Sequence, residues 1–101
     1  MKELLDNNEI ESALQQVNGW VHDGGYITKT INAGTFIDAI NLVNKISLLS
    51  EEQNHHPKMI VDFSKVTICL ITHRPYGITG KDIELAKSID KMEVEFFNRE
   101  N

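Results

Sequence analysis

Four histidines stand in this chain of 101 residues, at positions 22, 55, 56 and 73, and three of them have surroundings suited to proton transfer. An imidazole titrates near pH ~6.5, so its acid and base forms coexist near neutrality and a positioned histidine can give or take a proton. His55 follows Glu51 by four residues, a spacing that puts both side chains on one helix face, where the carboxylate would fix the imidazole's tautomer. His56 precedes Pro57, and the residue before a proline is pushed out of helical geometry, so its ring should diverge from that of His55. His73 ends an apolar run and is expected at the rim of a sheet, with Asp82 following in the first turn of a helix. Plainer readings exist. Adjacent histidines before a proline also cap the carbonyls of a helix end, a strand-end histidine is a common structural choice, and His22 reads as a solvated side chain.

Other chemistries find less support. Three histidines suggest zinc, but the His55 and His56 rings diverge and no fourth ligand, second cysteine or H-x-x-x-H pair accompanies them. Cys69 falls in the middle of an apolar run with no histidine beside it, and no glycine-rich phosphate loop is present. General acid–base work by imidazole remains, with a metal site the less favoured expectation.

The elements that must carry these residues follow from periodicity. Ile10, Ala13, Leu14 and Val17 recur at helical spacing after Asn7-Asn8, a candidate cap, and Gly19 is expected to end that helix. Asp23-Gly24-Gly25 is a hairpin turn signal, and the β-branched residues that follow predict a strand over 26–33. Thr35-x-x-Asp38 opens a second helix running to about Asn54, with Phe36, Ala39, Ile40, Val43 and Ile46 as its apolar stripe. Two strands, over 59–63 and 65–73, turn near Ser64. In the second, Val66, Ile68 and Leu70 share one face, while Thr67, Cys69, Ile71 and His73 share another too apolar to lie bare in water. After a turn at Pro75-Tyr76-Gly77, Thr79-x-x-Asp82 starts a third helix with Ile83, Ala86, Ile89 and Met92 inward. The order α-β-β-α-β-β-α predicts an α+β domain, its helices on one face of a four-stranded antiparallel sheet, over residues 1–101.

Composition bounds the rest. Ten basic residues against fifteen acidic ones leave a net charge of −5, and no basic cluster suits nucleic-acid phosphates. The single cysteine permits no internal disulfide and fits a reducing compartment. The first residues contain no apolar leader, and no run approaches the ~20 apolar residues of a membrane span. A soluble, cytoplasmic protein is expected.

The segment Glu51-Glu52-Gln53-Asn54-His55-His56-Pro57 resembles the signature of the pterin-4a-carbinolamine dehydratase family. The likeness continues through Phe63, His73, Gly77-Ile78-Thr79 and Asp82, includes Gly19-Trp20 upstream, and spans residues 10–93. His-His-Pro alone would be a weak match; the further residues at set spacings make it specific. The resemblance implies three catalytic histidines, His55, His56 and His73, with Glu51, Asn54, Pro57, Thr72, Arg74 and Asp82 around the substrate. Glu51 would orient His55, and Asp82 would orient His73 or the ligand. The implied reaction removes water from a 4a-hydroxytetrahydropterin, two histidines serving as acid and base while the third holds the ring. Lys81 and residues 27–33 depart from animal relatives in ways that bear on packing and affinity more than on chemistry. Family members form dimers or tetramers through the sheet, and animal relatives double as dimerisation cofactors for a homeodomain transcription factor. The competing expectations are therefore a non-catalytic partner-binding role, or action on another pterin, as in molybdopterin metabolism.

Overall fold

A computed structural model describes residues 3–98 of the chain. The first helix, α1 (Asn7–Leu14), is capped by Asp6 rather than by the asparagines after it. Asp6 Oδ1 accepts the Glu9 N–H at 2.8 Å while Glu9 Oε1 accepts the Asp6 N–H at 2.9 Å, a reciprocal box satisfying two otherwise unpaired donors. The helix stops at Leu14, short of Gly19. Strands β1 (Val21–Asp23) and β2 (Tyr26–Asn32) are joined at Gly24-Gly25, where φ of 60° and 88° gives the twist a two-residue hairpin turn requires.

Helix α2 (Phe36–Gln53) begins at Thr35, whose side chain accepts the Asp38 N–H at 3.0 Å. Its buried face is Ala39, Leu42, Ile46 and Ser50, so the expected stripe is corrected: Phe36 and Ile40 are exposed, with Ile37 and Leu48. The helix is apolar on more than one side, and spacing alone cannot say which side meets the sheet.

Strands β3 (Lys58–Asp62) and β4 (Lys65–Leu70) turn at Phe63-Ser64, where Phe63 has φ of 53°. The expected strand over 65–73 is broken at Ile71. Beyond it, β5 (Thr72–His73) leaves the main ladder and pairs with β6 (Tyr76–Gly77), around a cis Arg74–Pro75 peptide. Helix α3 (Gly80–Asn98) closes the described residues.

The main sheet is antiparallel in the order β1-β2-β4-β3, with Ile27 opposite Leu70 and Ile31 opposite Val66. One face presents Ile27, Ile31, Val66, Ile68 and Leu70, all buried with Leu42 and Ile46 of α2 and Leu85, Ile89 and Phe96 of α3 in one apolar cluster. At ~1.5–3 kcal/mol for each such side chain taken from water, this cluster dominates the folding free energy. The opposite face carries Thr28, Thr30, Thr67 and half-buried Cys69; the Thr30 and Thr67 hydroxyls bond across strands at 2.9 Å.

One charged side chain points into the core face. Lys29 Nζ reaches Asp90 Oδ1 at 2.9 Å and Glu93 Oε1 at 2.6 Å on α3, and Asp90 also accepts from the Trp20 indole and the Asn18 N–H, both at 2.8 Å. Burial alone would lower the Lys29 pKa, but its bonds to Glu93 and Asp90 and their negative charges outweigh that and raise it. Gly19 lies over this lysine with φ of +84°, and a Cβ there would come within 3.4 Å of Lys29 Cε.

Candidate active site

The end of α2 decides where the two adjacent histidines go. Asn54 takes a left-handed conformation, φ 51° and ψ 46°, its N–H donating to the Glu51 carbonyl and the His55 N–H to that of Ser50 at 3.0 Å. This is the helix-ending pattern usually made by glycine, and asparagine is the side chain that tolerates it best. It reverses the chain, so His55 is no longer on the helix and the four-residue spacing to Glu51 does not bring them together.

The pairings therefore differ from those expected. His55, buried to 8% exposure, places Nε2 2.6 Å from Asp82 Oδ1. His56 returns over the last turn of α2, and its Nε2 lies 2.5 Å from Glu51 Oε2 in an exposed pair. Glu51 thus orients His56, not His55, and Asp82 orients His55, not His73. His73, on β5, stands exposed with Tyr76 as its ring neighbour at 6.1 Å and no carboxylate partner among the described residues.

Behind His55 lies a closed polar network. Asp82 has no exposed surface; its Oδ2 accepts the Thr72 hydroxyl at 2.7 Å and the Thr79 N–H at 2.9 Å. With the Thr72 proton directed at Asp82, the Thr79 hydroxyl donates to Thr72 Oγ1 at 2.8 Å and accepts the Lys81 N–H at 3.2 Å. The Thr79-x-x-Asp82 signature marks the helix start as expected: Asp82 Oδ2 accepts the Thr79 N–H, and the Thr79 hydroxyl caps the helix through the Lys81 N–H while also joining the network. An ionised Asp82 can only accept, so hydrogen-bond logic puts the shared proton on His55 Nε2. No buried side-chain nitrogen or oxygen among the described residues lacks a partner, so Nδ1 of His55, which bonds to none of them, is not sealed in, and His55 itself lines a pocket.

That pocket has a volume of about 350 Å³, within the range of small-molecule sites. It brings together His55, His56 and His73 with Asn54, Thr72 and Arg74, from the end of α2 and from β5. Lys81, singled out in sequence only as a departure from animal relatives, also lines it. Glu51, Pro57 and Asp82 do not: Glu51 and Asp82 hold histidines from behind, and Pro57 sits half-buried at the entry to β3. Among the described residues no three His, Cys, Asp or Glu side chains are grouped to hold a metal ion, and no helix is long and apolar enough to cross a membrane.

The chain's likeness to known proteins agrees with this geometry. Residues 3–92 match the model of the family described as pterin 4 alpha carbinolamine dehydratase. A relative from Herpetosiphon aurantiacus is 45% identical over 89 residues, 88% of this chain and 93% of its own. Others from Roseiflexus castenholzii, 40% identical over 91% of this chain and 99% of theirs, and Sulfolobus acidocaldarius, 37% over 88% and 98%, carry the same provisional name, pterin-4-alpha-carbinolamine dehydratase. The crystal structure of a transcriptional coactivator/pterin dehydratase from Brucella melitensis superposes with a TM-score of 0.83 at 26% identity, covering 88% of this chain and 97% of that one. The chain belongs to the pterin-4-alpha-carbinolamine dehydratase family.

Proposed function

We propose that this protein dehydrates a 4a-hydroxytetrahydropterin to the quinonoid dihydropterin, as in recycling of a tetrahydropterin cofactor, with His55, His56 and His73 as its catalytic side chains. The observation that carries the reading is the buried Asp82–His55 pair, whose free Nδ1 opens on a pocket shared with two further imidazoles. The reaction breaks the C4a–O bond, so the departing hydroxyl must gain a proton to leave as water. N5 must lose its proton as the C4a–N5 double bond forms. One proton is delivered and one removed.

His55 suits the removal. Its Nε2–H is held by a buried carboxylate, so Nδ1 is the basic nitrogen, and the imidazolium formed when it accepts a proton is stabilised by Asp82. His73 and His56, on the open side, supply the proton to the hydroxyl and hold it. Asn54 and Thr72 bound the ring, and no cofactor takes part, since the pterin is itself the substrate. We propose a cytoplasmic location and a homodimer or homotetramer assembled through the sheet face that carries Thr67 and Cys69, to be read by sedimentation.

The test is the ultraviolet absorbance of freshly generated 4a-hydroxytetrahydropterin, followed with and without protein and with several C6 side chains. The reading expects acceleration over buffer; none for any pterin would overturn it. A second reading, a partner-binding role, is favoured by the Brucella relative's description as a coactivator and by the exposed Phe36, Ile37, Ile40 and Leu48 of α2. It predicts that substitutions on α2 disturb a partner's assembly while His55→Ala does not.

A further inference from the structure

The pocket's charge is at odds with that of the molecule. The chain carries a net charge of −5, yet two cations, Arg74 and Lys81, line this pocket and no carboxylate does. The carboxylates nearest to hand are already engaged. Glu51 is turned to His56, and Asp82 is sealed behind His55 with both oxygens accepting hydrogen bonds. The Arg74 guanidinium and the Lys81 ammonium have no ion pair or hydrogen bond to any described residue. A second charged cavity, beside Lys29, is built the opposite way, its one cation outnumbered by Asp90 and Glu93.

A neutral pterin ring does not call for this pair. Its pyrimidine edge offers donors, the 2-amino group and N3–H, as well as acceptors, and recognition of those donors requires acceptors in the wall. Arg and Lys bring donors only. Two donor-only cations without partners among the described residues are the complement of an anion, which arginine engages through a bidentate fork and lysine as a point charge. Their place in the chain suggests where that anion lies. Arg74 directly follows His73, and Lys81 directly precedes Asp82, the holder of His55. On the substrate, C6 is the atom next to N5, so a C6 substituent leaves the ring beside the nitrogen that the histidines must deprotonate.

We infer that the preferred substrate is a pterin whose C6 side chain ends in an anionic group, a carboxylate or a phosphate, held between Arg74 and Lys81. The inference rests on the dehydratase reading for its substrate ring and adds the charge of the side chain. Because Arg74 is exposed and Lys81 half-buried, the attraction is screened by salt.

The test is binding of three stable pterins to the full chain by fluorescence quenching: pterin-6-carboxylate, 6-hydroxymethylpterin phosphate and neutral 6-hydroxymethylpterin. Each is measured with wild type, Arg74→Gln, Lys81→Gln and the double variant, with circular dichroism to establish that each is folded. At least one anionic pterin should bind about tenfold or more tighter than the neutral one, a separation of about 1.4 kcal/mol. That ratio should fall toward one in the double variant and shrink from low salt to about 0.5 M. The relative strengths of carboxylate and phosphate identify the source of the anion. Equal binding of all three, or a preference that survives the double substitution, overturns the inference and leaves the dehydratase reading standing. Binding of none, together with no acceleration of dehydration, overturns both.

Discussion

Replacing Asp82 by asparagine should disable the proposed base while leaving the fold in place. In the native site one carboxylate serves three donors: the His55 Nε2–H at 2.6 Å on one oxygen, and the Thr72 hydroxyl and Thr79 N–H at 2.7 and 2.9 Å on the other. An asparagine side chain has a single acceptor oxygen. Facing it toward Thr72 and Thr79 satisfies two donors rather than one, which turns the amide NH2 toward His55. Two N–H groups cannot face each other, so His55 moves its proton to Nδ1 and presents a bare Nε2 to the amide. The nitrogen open to the pocket is then a donor and cannot take a proton from N5. Loss of a positioned general base costs roughly 100- to 10,000-fold, and with two other histidines in place we expect kcat to fall by about 100- to 1,000-fold, or ~2.7–4 kcal/mol of barrier. Stability should fall less, by about 1–3 kcal/mol for the rearranged buried polar groups, lowering Tm by about 4–8 °C per kcal/mol in a domain of this size. Nitrogen-15 NMR of the imidazole reads the tautomer directly, and absorbance kinetics read kcat. Retention of kcat within about threefold, against that 100-fold expectation, would refute the reasoning; so would a large fall in kcat with the His55 proton still on Nε2.

Other substitutions separate the roles of the remaining charges. Lys29→Met should destabilise the protein by about 2–3 kcal/mol in urea unfolding, less than for a fully buried pair because Asp90 and Glu93 keep some access to water. Since the folded-state pKa of Lys29 is raised above 10.5, its stabilising contribution is complete below pH 10.5 and is lost as pH climbs through the higher folded value. The stability gap between wild type and Lys29→Met should therefore be constant near neutrality and, on the alkaline side, close only as pH passes the raised folded value. Glu51→Gln, at an exposed pair with His56, should change stability by less than about 0.5 kcal/mol in the same assay, any effect on kcat being a separate readout of His56 orientation. Gly19→Ala should cost about 1–2 kcal/mol by thermal unfolding, because φ of +84° disfavours any Cβ and Lys29 crowds the position.

The element order, the two hairpins and the inward residues of α3 are legible in the sequence from alternation and helical spacing, whereas α2, apolar on more than one side, hides which side meets the sheet. Placement of the candidate site residues is legible less evenly. His55, His56, His73, Asn54, Thr72 and Arg74 gather in one pocket, and each lies near a helix end, a proline or a strand end that the sequence marks. The partnerships inside the site are not legible. Glu51 and His55 look like helical neighbours until Asn54 reverses the chain between them, and nothing in residue spacing shows an asparagine in the left-handed region. The break at Ile71 is hidden for a similar reason, since Lys65 through His73 alternates well and only the competing pairing of β5 with β6 ends the strand. Lys29 is the third case. A lysine in a strand reads as solvent-facing, and its acceptors, Asp90 and Glu93, lie some sixty residues away.

The most direct test of the central claim is the dehydration rate of His55→Ala beside wild type, on freshly generated 4a-hydroxytetrahydropterin at neutral pH, with circular dichroism showing both to be folded. The wild-type rate should stand well above buffer, and kcat should fall by about 100-fold or more in the variant. A folded His55→Ala protein that keeps the wild-type kcat would contradict it, for the imidazole held by Asp82 would then have no part in moving the proton.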